Sequence, residues 1–527
     1  RQMCIRDRNN IWWVKVAVPK SQRDKFGYDL RQTTGKSDLD EARSVRDHIV
    51  ESLKSKLSES ENYIPLPSTK FMEKTNIENP QYFHKVVDCQ YACPAHTNVP
   101  EYIRLIAQKK YTDAYMLNWE SNVFPGILGR VCDRPCEPAC RRGRTHEKSV
   151  AICRLKRVTY DYKDDVEKYI PKSPKIKNGK KIALIGAGPA SLTVARDLLP
   201  LGYECTIFEK DHKAGGLMRT NIPSFRLPAD VLDEEIYRII DMGAELKLNS
   251  YIDKLKPVID EYDSVFIGTG APKGKDLNLK GREISSENIH IGIDWLTSIA
   301  FEHVKKIGKK VVVIGGGNTA MDCCRSALRL GATDVKVTVR SPFSQMKASE
   351  WEIEETMEEG IPILDNTSPK EFLFDDKGKL CGVKFEKMEQ VEIDGRKKMQ
   401  STGEELTIEC DDVLLAIGQE NAFPWIEKDI GIEFGEWEMP VVDKLTMQST
   451  HPKVFFGGDS AWGPENIIWA VSHGHQAAIS IDNFCSGVSL KERPDPITNL
   501  VSQKMGIHEW SYDCLLYTSD AADDVIS

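Results

Sequence analysis

The sequence predicts an α/β protein in which a small cysteine-rich helical domain precedes two nested Rossmann-like units. Three observations carry this. Six of the 14 cysteines, Cys89, Cys93, Cys132, Cys136, Cys140 and Cys153, fall within 65 residues. An apolar run ending in Gly-Ala-Gly at 186–188 leads into a helical stretch and a second apolar run, the order strand–turn–helix–strand. The same order recurs from residue 309, with three glycines at 315–317.

At 527 residues the chain has room for three or four domains. Hydrophobic residues make up 40% and charged residues 29%, an ordinary globular balance that excludes collagen-like and disordered classes. No apolar run reaches the ~18 residues of a membrane span, and no apolar h-region marks a secretory signal, so a cytoplasmic location is expected. The net charge of −9 argues against nucleic acid as the main partner.

The opening RQMCIRDR (1–8) and the closing CLLYTSDAADDVIS (514–527) resemble translated sequencing-adapter read-through and are set aside from fold reasoning. Residues 9–60 form an extension. They read as a strand at 12–18, a polar turn at 19–27, and a helix after Ser37 with Ala42, Val45, Ile49 and Leu53 on one face. The segment VAVPKSQRDKFG…RQTTGKSDLDEAR resembles the N-terminal arm of phage-type tyrosine recombinases, but no recombinase core follows; a chimeric join and an unrelated extension are both open. Pro65 and Pro67 mark a linker.

Residues 61–175 form the cysteine domain, with short helices expected at 100–108, 112–118 and 152–161. Cys89 and Cys93 form a C-x3-C-P pattern, and VCDRPCEPAC places Cys132, Cys136 and Cys140 at equal spacing, with Cys153 beyond. Without a secretory signal a disulfide framework is not expected, which leaves metal or iron–sulfur ligation. Structural zinc prefers C-x2-C pairs closing one tetrahedral site. Two separated groups at x3 spacing suit an iron–sulfur cube, whose thiolates arrive from both ends of a helical segment. Pro94 and Pro135 stiffen the backbone beside the sulfurs.

The stretch CQYACPAHTNVPEYIRLIA…NVFPGILGRVCDRPCEPACRRG resembles the iron–sulfur domain of the glutamate synthase small-subunit family. The same domain opens dihydropyrimidine dehydrogenase and the large subunit of NADH-dependent ferredoxin:NADP oxidoreductase. The resemblance implies two interleaved [4Fe-4S] clusters, Cys89 and Cys140 serving one, and Cys93, Cys132 and Cys136 the other. The chain departs from that pattern. The upstream cysteine pair is missing, with Gln81 and His84 standing near its place, and Leu128 stands where relatives often carry Cys. Cys153 is extra and can complete the second set. One cluster, on Cys93, Cys132, Cys136 and Cys153, is therefore expected; a second remains open, since Cys89 and Cys140 alone cannot hold it.

In the first Rossmann unit Gly186 permits the tight turn, and Gly188 lets backbone approach a pyrophosphate at the helix N-terminus, where N–H groups and dipole attract anions. Ser191 takes the third, small-residue position. Glu209, about 20 residues on, can accept from a ribose hydroxyl. Gly215 and Gly216 suit close approach to the pyrophosphate's second face. Thr269 and Gly270 close a later strand. Gly458 and Asp459, in VFFGGDSAWGPENIIWA, lie between a strand and a helix whose N-terminus, near Asn466, faces developing negative charge. Together these resemble the FAD half of pyridine-nucleotide-disulfide-type flavoproteins.

In the second unit Gly315 and Gly317 take the glycine roles, Asn318 opens the helix and Ala320 takes the packing position. Its second strand ends at Arg340 instead of an acid, and Arg pairs with a 2′-phosphate, so NADPH is favoured over NADH. Cys323 and Cys324 are adjacent, not C-x-x-C, and read as packing residues.

The order implies a helical Fe–S domain followed by two nested Rossmann-like dinucleotide-binding domains: FAD domain at 176–292, inserted NAD(P) domain at 293–420, FAD domain again at 421–490, then a tail at 491–513. The resemblance covers about residues 80–490. It implies hydride transfer from NAD(P)H to FAD and single-electron transfer through [4Fe-4S] to a partner, glutamate synthase large subunit-like or a ferredoxin. No side-chain acid or base is required, because hydride moves between stacked rings. A ferredoxin:NAD(P) oxidoreductase-type subunit is the alternative within the class. A non-catalytic NAD(P)H-binding redox sensor and, from residues 10–57 alone, a DNA-binding recombinase fragment are the alternatives outside it.

Overall fold

The computed structural model describes residues 88–493, apart from 146–147, 285–286 and 394–395, together with three N-terminal strands. The chain divides into two compact units, Arg1–Glu73 and Lys74–Ser527. In the first, β1 (Gln2–Arg6), β2 (Trp12–Ala17) and β3 (Asp29–Thr33) form an antiparallel sheet in the order β1-β2-β3. The opening residues, read above as foreign, thus supply a strand, with Gln2 opposite Val16 and Arg6 opposite Trp12. The helix expected after Ser37, the 59–68 linker, Gln81, His84 and the tail beyond 493 lie outside the described residues.

The second unit begins with short helices. α1 (Asp88–Ala92), α2 (Val99–Ala107), α3 (Tyr111–Asn122), α4 (Pro125–Val131) and α5 (Ile152–Asp161) carry or flank the cysteines. α2 starts at Asn98, whose side chain accepts from the Glu101 amide, and Pro100 occupies the first turn, where its missing N–H costs nothing. α4 is buried from Pro125 to Gly129.

Next comes a five-stranded parallel sheet: β4 (Lys181–Ile185), β5 (Glu204–Phe208), β6 (Glu245–Lys247), β7 (Ser264–Ile267) and, from far downstream, β16 (Val454–Phe456), in the order β16-β7-β4-β5-β6. Continuous apolar runs suit such strands, because helices cover both faces. α6 (Pro189–Leu198), α7 (Leu217–Thr220), α8 (Ala229–Ile240) and α12 (Ile467–Ser486) cover one face, and the short helix Lys256–Glu261 with Trp425 and Ile426 covers the other. Gly487 ends α12 in the left-handed conformation.

Between β7 and β16 a second parallel sheet is inserted. It comprises β8 (Ile289–Ile291), β9 (Lys310–Ile314), β10 (Asp334–Thr338), β11 (Ile363–Leu364) and β15 (Asp412–Leu415), ordered β11-β10-β9-β15-β8. α9 (Gly292–Ala300), α10 (Asn318–Arg329) and α11 (Glu350–Glu358) cover it. Because β8 pairs with β15, the insertion starts by residue 289, not at 293. β8 is only three residues long, too short for a periodic signal. The connecting segments pair with each other, Lys273–Gly274 antiparallel to Gln419–Glu420. A three-stranded antiparallel sheet, β12 (Thr367–Phe374), β13 (Leu380–Ile393) and β14 (Arg396–Glu409), grows from the inserted domain. Among the described residues no helix is long and apolar enough to cross a membrane.

Candidate dinucleotide cleft and cysteine site

A single cleft of about 1630 Å³ is lined by the turns after β4, β7, β9 and β16. Parallel α/β sheets place ligands beyond the carboxyl ends of their strands, and both sheets do so here.

At the first turn Gly186 has φ +92°, and a Cβ there would lie 2.8 Å from the Gly268 carbonyl oxygen. Gly188 precedes α6, leaving the amides of its first turn facing the cleft. Gly215 donates its amide to the Ala187 carbonyl, 3.0 Å. This brings Gly216 so close that its Cβ would sit 3.0 Å from Gly188 Cα. Gly216 lines the cleft, while Gly215 stands behind it. Ser191 does not reach the cleft; it is fully buried, and its Oγ lies 2.3 Å from where a Cβ on Gly268 would be. The close helix–strand approach expected of the third motif position is therefore made against Gly268, a residue the motif does not include.

Glu209 ends β5 at the cleft with one oxygen accepting from Ala187 N, 2.9 Å, and the other from Asp211 N, 3.0 Å. Burial raises its pKa, and the two amides oppose the rise. Each oxygen keeps a second lone pair for a hydroxyl donor. Thr269 and Gly270 line the floor, and Thr269 Oγ1 is buried without a hydrogen-bond partner. Gly458 and Asp459 line the wall. Asp459 accepts from Glu465 N, 3.1 Å, and burial pushes it up to about 7. Behind it His473 accepts from Gly458 N at Nδ1, 3.2 Å, and burial lowers this imidazole to about 4, so it stays neutral. Glycine cradles, inward amides and an orphaned buried hydroxyl fit a dinucleotide.

Asn466 caps α12 by accepting from Trp469 N, 3.3 Å, and its Nδ2 donates to Asp133 Oδ2, 3.2 Å. It borders the cleft. Asp133 follows Cys132 directly, and its other oxygen accepts from Ser349 Oγ, 3.1 Å. Ser349 in turn donates its amide to Asn318 Oδ1, 2.8 Å. The Arg134 guanidinium lies 4.1 Å from the Trp351 ring centroid. The cysteine segment thereby touches both nucleotide-binding halves, and Val131 forms part of the cleft wall. Asp133 and Ser349 carry no sequence signal of this role.

In the second half Gly315 has φ +146°, and a Cβ there would lie 2.1 Å from the Ala416 carbonyl oxygen. Gly317 and Asn318 line the cleft at the start of α10, and Ala320 is buried in packing. Arg340 is solvent-exposed on the cleft wall, together with Lys347, which the sequence reading did not single out. Cys323 and Cys324 are fully buried, with burial raising both thiols. An ion-pair cluster ties the halves together: Arg226 donates to both Asp322 oxygens, 2.6 and 2.7 Å, and to Glu352.

Cys93, Cys132, Cys136 and Cys153 are buried, and Cys89 and Cys140 are half-buried. Cys93, Cys132 and Cys153 share one apolar core, and Cys136, Cys89 and Cys140 border the adjoining one. Burial pushes Cys89 and Cys132 up to about 12 and raises Cys136 and Cys153. Among the described residues no three His, Cys, Asp or Glu side chains converge to hold a single metal ion. Thiols gathered in two adjoining buried clusters fit an iron–sulfur cube, in which each thiolate meets a different iron. Cys153 donates its amide to Glu137 Oε1, 2.8 Å, and its thiol faces the Leu128 and Gly129 carbonyls, 3.2 and 3.4 Å.

α4, which leads into Cys132, is anchored from the neighbouring domain. Glu235 of α8 accepts from Gly126 N, 2.7 Å, Ile127 N, 2.9 Å, and the Tyr115 hydroxyl, 3.0 Å. A carboxylate at a helix N-terminus satisfies amides that have no partner within the helix.

Residues 180–474 match the pyridine nucleotide-disulphide oxidoreductase family, and residues 82–168 match the dihydropyrimidine dehydrogenase domain II, 4Fe-4S cluster family. The NADPH-Fe(3+) oxidoreductase subunit beta of Geobacter sulfurreducens is 32% identical over 78% of this chain and 66% of its own length. The chain therefore spans just under two thirds of that relative. The glutamate synthase [NADPH] small chain of Escherichia coli K12 is 30% identical over 75% of this chain and 88% of its own. FprA of Mycobacterium tuberculosis in complex with NADPH superposes with a TM-score of 0.50 at 16% identity, over 63% of this chain and 90% of that one, a likeness of fold. The chain belongs to the pyridine nucleotide-disulphide oxidoreductase family and, with its 4Fe-4S domain, to the NAD(P)H-dependent FAD and iron–sulfur oxidoreductases that include the glutamate synthase small chain.

Proposed function

We propose that this chain is the electron-input subunit of a cytoplasmic complex, taking electrons from NADPH and delivering them singly to a protein partner. The observation that carries this is the joining of three parts in one place: both dinucleotide turns line one cleft, and the segment entering Cys132 forms part of its wall.

Bound FAD would accept hydride from the nicotinamide, and a [4Fe-4S] cluster would pass electrons on one at a time. The residues position and tune. Gly186, Gly188 and Gly216 bring backbone against the FAD pyrophosphate, and the α6 amides meet its charge. Glu209 accepts from the ribose, with Ser191 and Gly215 packing behind. Thr269 and Gly270 form the floor, and Asp459, held at Gly458, accepts from the ribityl chain. The α12 N-terminus at Asn466 sets a positive dipole end toward the ring. Gly315, Gly317 and Asn318 hold the second pyrophosphate, Ala320 lets α10 pack, and Arg340 pairs with the 2′-phosphate, Lys347 adding charge. Cys93, Cys132, Cys136 and Cys153 hold the cluster, and Cys89 and Cys140 lie beside it. Arg226 fixes the approach of the two nucleotide halves.

The partner is an electron acceptor of the glutamate synthase large-subunit or ferredoxin kind, and reduced nicotinamide is the donor. Cofactor analysis tests the assignment: flavin released by denaturation, with iron and sulfide counted after anaerobic reconstitution. One FAD with about four irons per chain is expected. Absence of flavin after reconstitution would overturn the reading.

A further inference from the structure

Beyond the cysteines, the helical domain buries a full charge. Lys156 lies on α5 one turn after Cys153 and is 3% exposed. Among the described residues no carboxylate pairs with it, although a buried ammonium without a counter-charge is costly. Its Nζ donates to Asn122 Oδ1, 2.7 Å. Asn122, itself fully buried, donates to Thr97 Oγ1. Thr97 Oγ1 also meets Ser121 Oγ, 3.2 Å, and Cys93 Sγ, 3.4 Å. The groups whose charge bears on Lys156 are Cys132, Cys153, Cys93 and Cys136. The lysine is thus held by a buried relay ending on one cysteine, with three more as its electrostatic neighbours.

We propose that Lys156 is the fixed counter-charge of the cluster site and sets its reduction potential through the Asn122–Thr97–Cys93 relay. This rests on the ligand set proposed above. Thiolates and cluster together carry net negative charge, and adding an electron increases it. A nearby cation favours the reduced state, and in a buried site salt screens it little. Lys156 touches neither nucleotide nor flavin and acts as a positioning and tuning residue. The relay fixes where its ammonium sits: Asn122 offers its carbonyl to Nζ and turns its NH2 to Thr97, leaving the Thr97 hydroxyl hydrogen for the Cys93 sulfur.

The test is an EPR-monitored redox titration of the reconstituted full chain and of Lys156→Met, with iron, sulfide and flavin assayed on each sample. With cofactor content equal, the midpoint of Lys156→Met is expected to move negative by a tenfold or larger change in the reduced-to-oxidised ratio at fixed potential, about 59 mV for one electron. Flavin content and its NADPH affinity stay unchanged. Asn122→Asp keeps the lysine and places an opposing charge on it, so its midpoint also moves negative. If Lys156→Met does not load a cluster, Asn122→Asp decides by the same shift. An unchanged midpoint in a loaded variant would overturn the inference. A wild-type chain that binds flavin but assembles no cluster would overturn the ligand set, and this inference with it.

Discussion

Replacing Glu235 by Ala tests how the flavin domain holds the cysteine domain. The change leaves two buried amides, Gly126 and Ile127, without an acceptor and removes one partner of the Tyr115 hydroxyl. Unsatisfied buried donors cost about 1–3 kcal/mol each, so about 4 kcal/mol is expected in total. The cost depends on pH. Burial pushes Glu235 from its ordinary 4.5 up to about 7, against the pull of the helix amides. The folded state therefore binds more protons than the unfolded state between those values. The stability this group contributes is present below pH 4.5 and is lost as pH rises through 7. Between pH 5 and pH 8 that loss is about 2–3 kcal/mol. Glu235→Ala should thus cost about 4 kcal/mol at pH 5 and about 1–2 kcal/mol at pH 8. Urea unfolding at both pH values, followed by tryptophan fluorescence with Trp119 as a reporter beside the interface, reads the difference. Wild-type and variant curves separated by the same amount at both pH values would refute the assignment of the proton to Glu235. Curves that coincide would refute the anchoring role.

Three further outcomes are expected. Arg340→Ala should lower the ratio of NADPH to NADH efficiency in flavin reduction by about 10- to 100-fold, the worth of one charge-assisted bond of ~1.5–3 kcal/mol; an unchanged ratio in stopped-flow bleaching would assign the 2′-phosphate elsewhere. Gly315→Ala, whose Cβ would meet the Ala416 oxygen at 2.1 Å, should abolish bleaching by NADPH while dithionite still reduces the flavin; normal NADPH affinity would remove the turn from the nucleotide site. Arg226→Met leaves Asp322 buried without its ion-pair partner, while Glu352 keeps Arg325, and should lower stability by about 3–5 kcal/mol at pH 8. Asp322, raised by burial to about 6 with Arg226 in place, should then hold its proton to still higher pH, so the loss is smaller at pH 5; thermal unfolding at the two pH values shows whether it is.

The two Rossmann units were legible because their signals are local. A tight turn needs glycine, buried parallel strands need apolar runs, and both fall within about 30 residues. What escaped the sequence was assembled over long range. Glu235 meets Gly126 across 109 positions and Arg226 meets Asp322 across 96, and nothing near either residue distinguishes it from an ordinary surface charge. Lys156 sits in a helix pattern where lysine usually faces water. Asn466, expected at the flavin, lines the cleft and also caps α12 and donates to Asp133, a contact that depends on how two domains meet. Ser191 was read as a packing residue, and its packing partner, Gly268, lies outside the motif window. The β12–β14 sheet falls inside the span 293–420 assigned to the NAD(P) domain, and the alternation in LCGVKFEKMEQVEI was not singled out there.

In the function proposed above, one chain carries electrons from NADPH through FAD to an iron–sulfur cluster. Anaerobic titration of the reconstituted protein with NADPH tests it most directly, with visible absorbance and low-temperature EPR recorded on the same samples. Bleaching of the flavin band, followed by a reduced-cluster EPR signal, with NADH less effective at equal concentration, is the predicted result. NADPH binding that leaves both flavin band and EPR spectrum unchanged would contradict it.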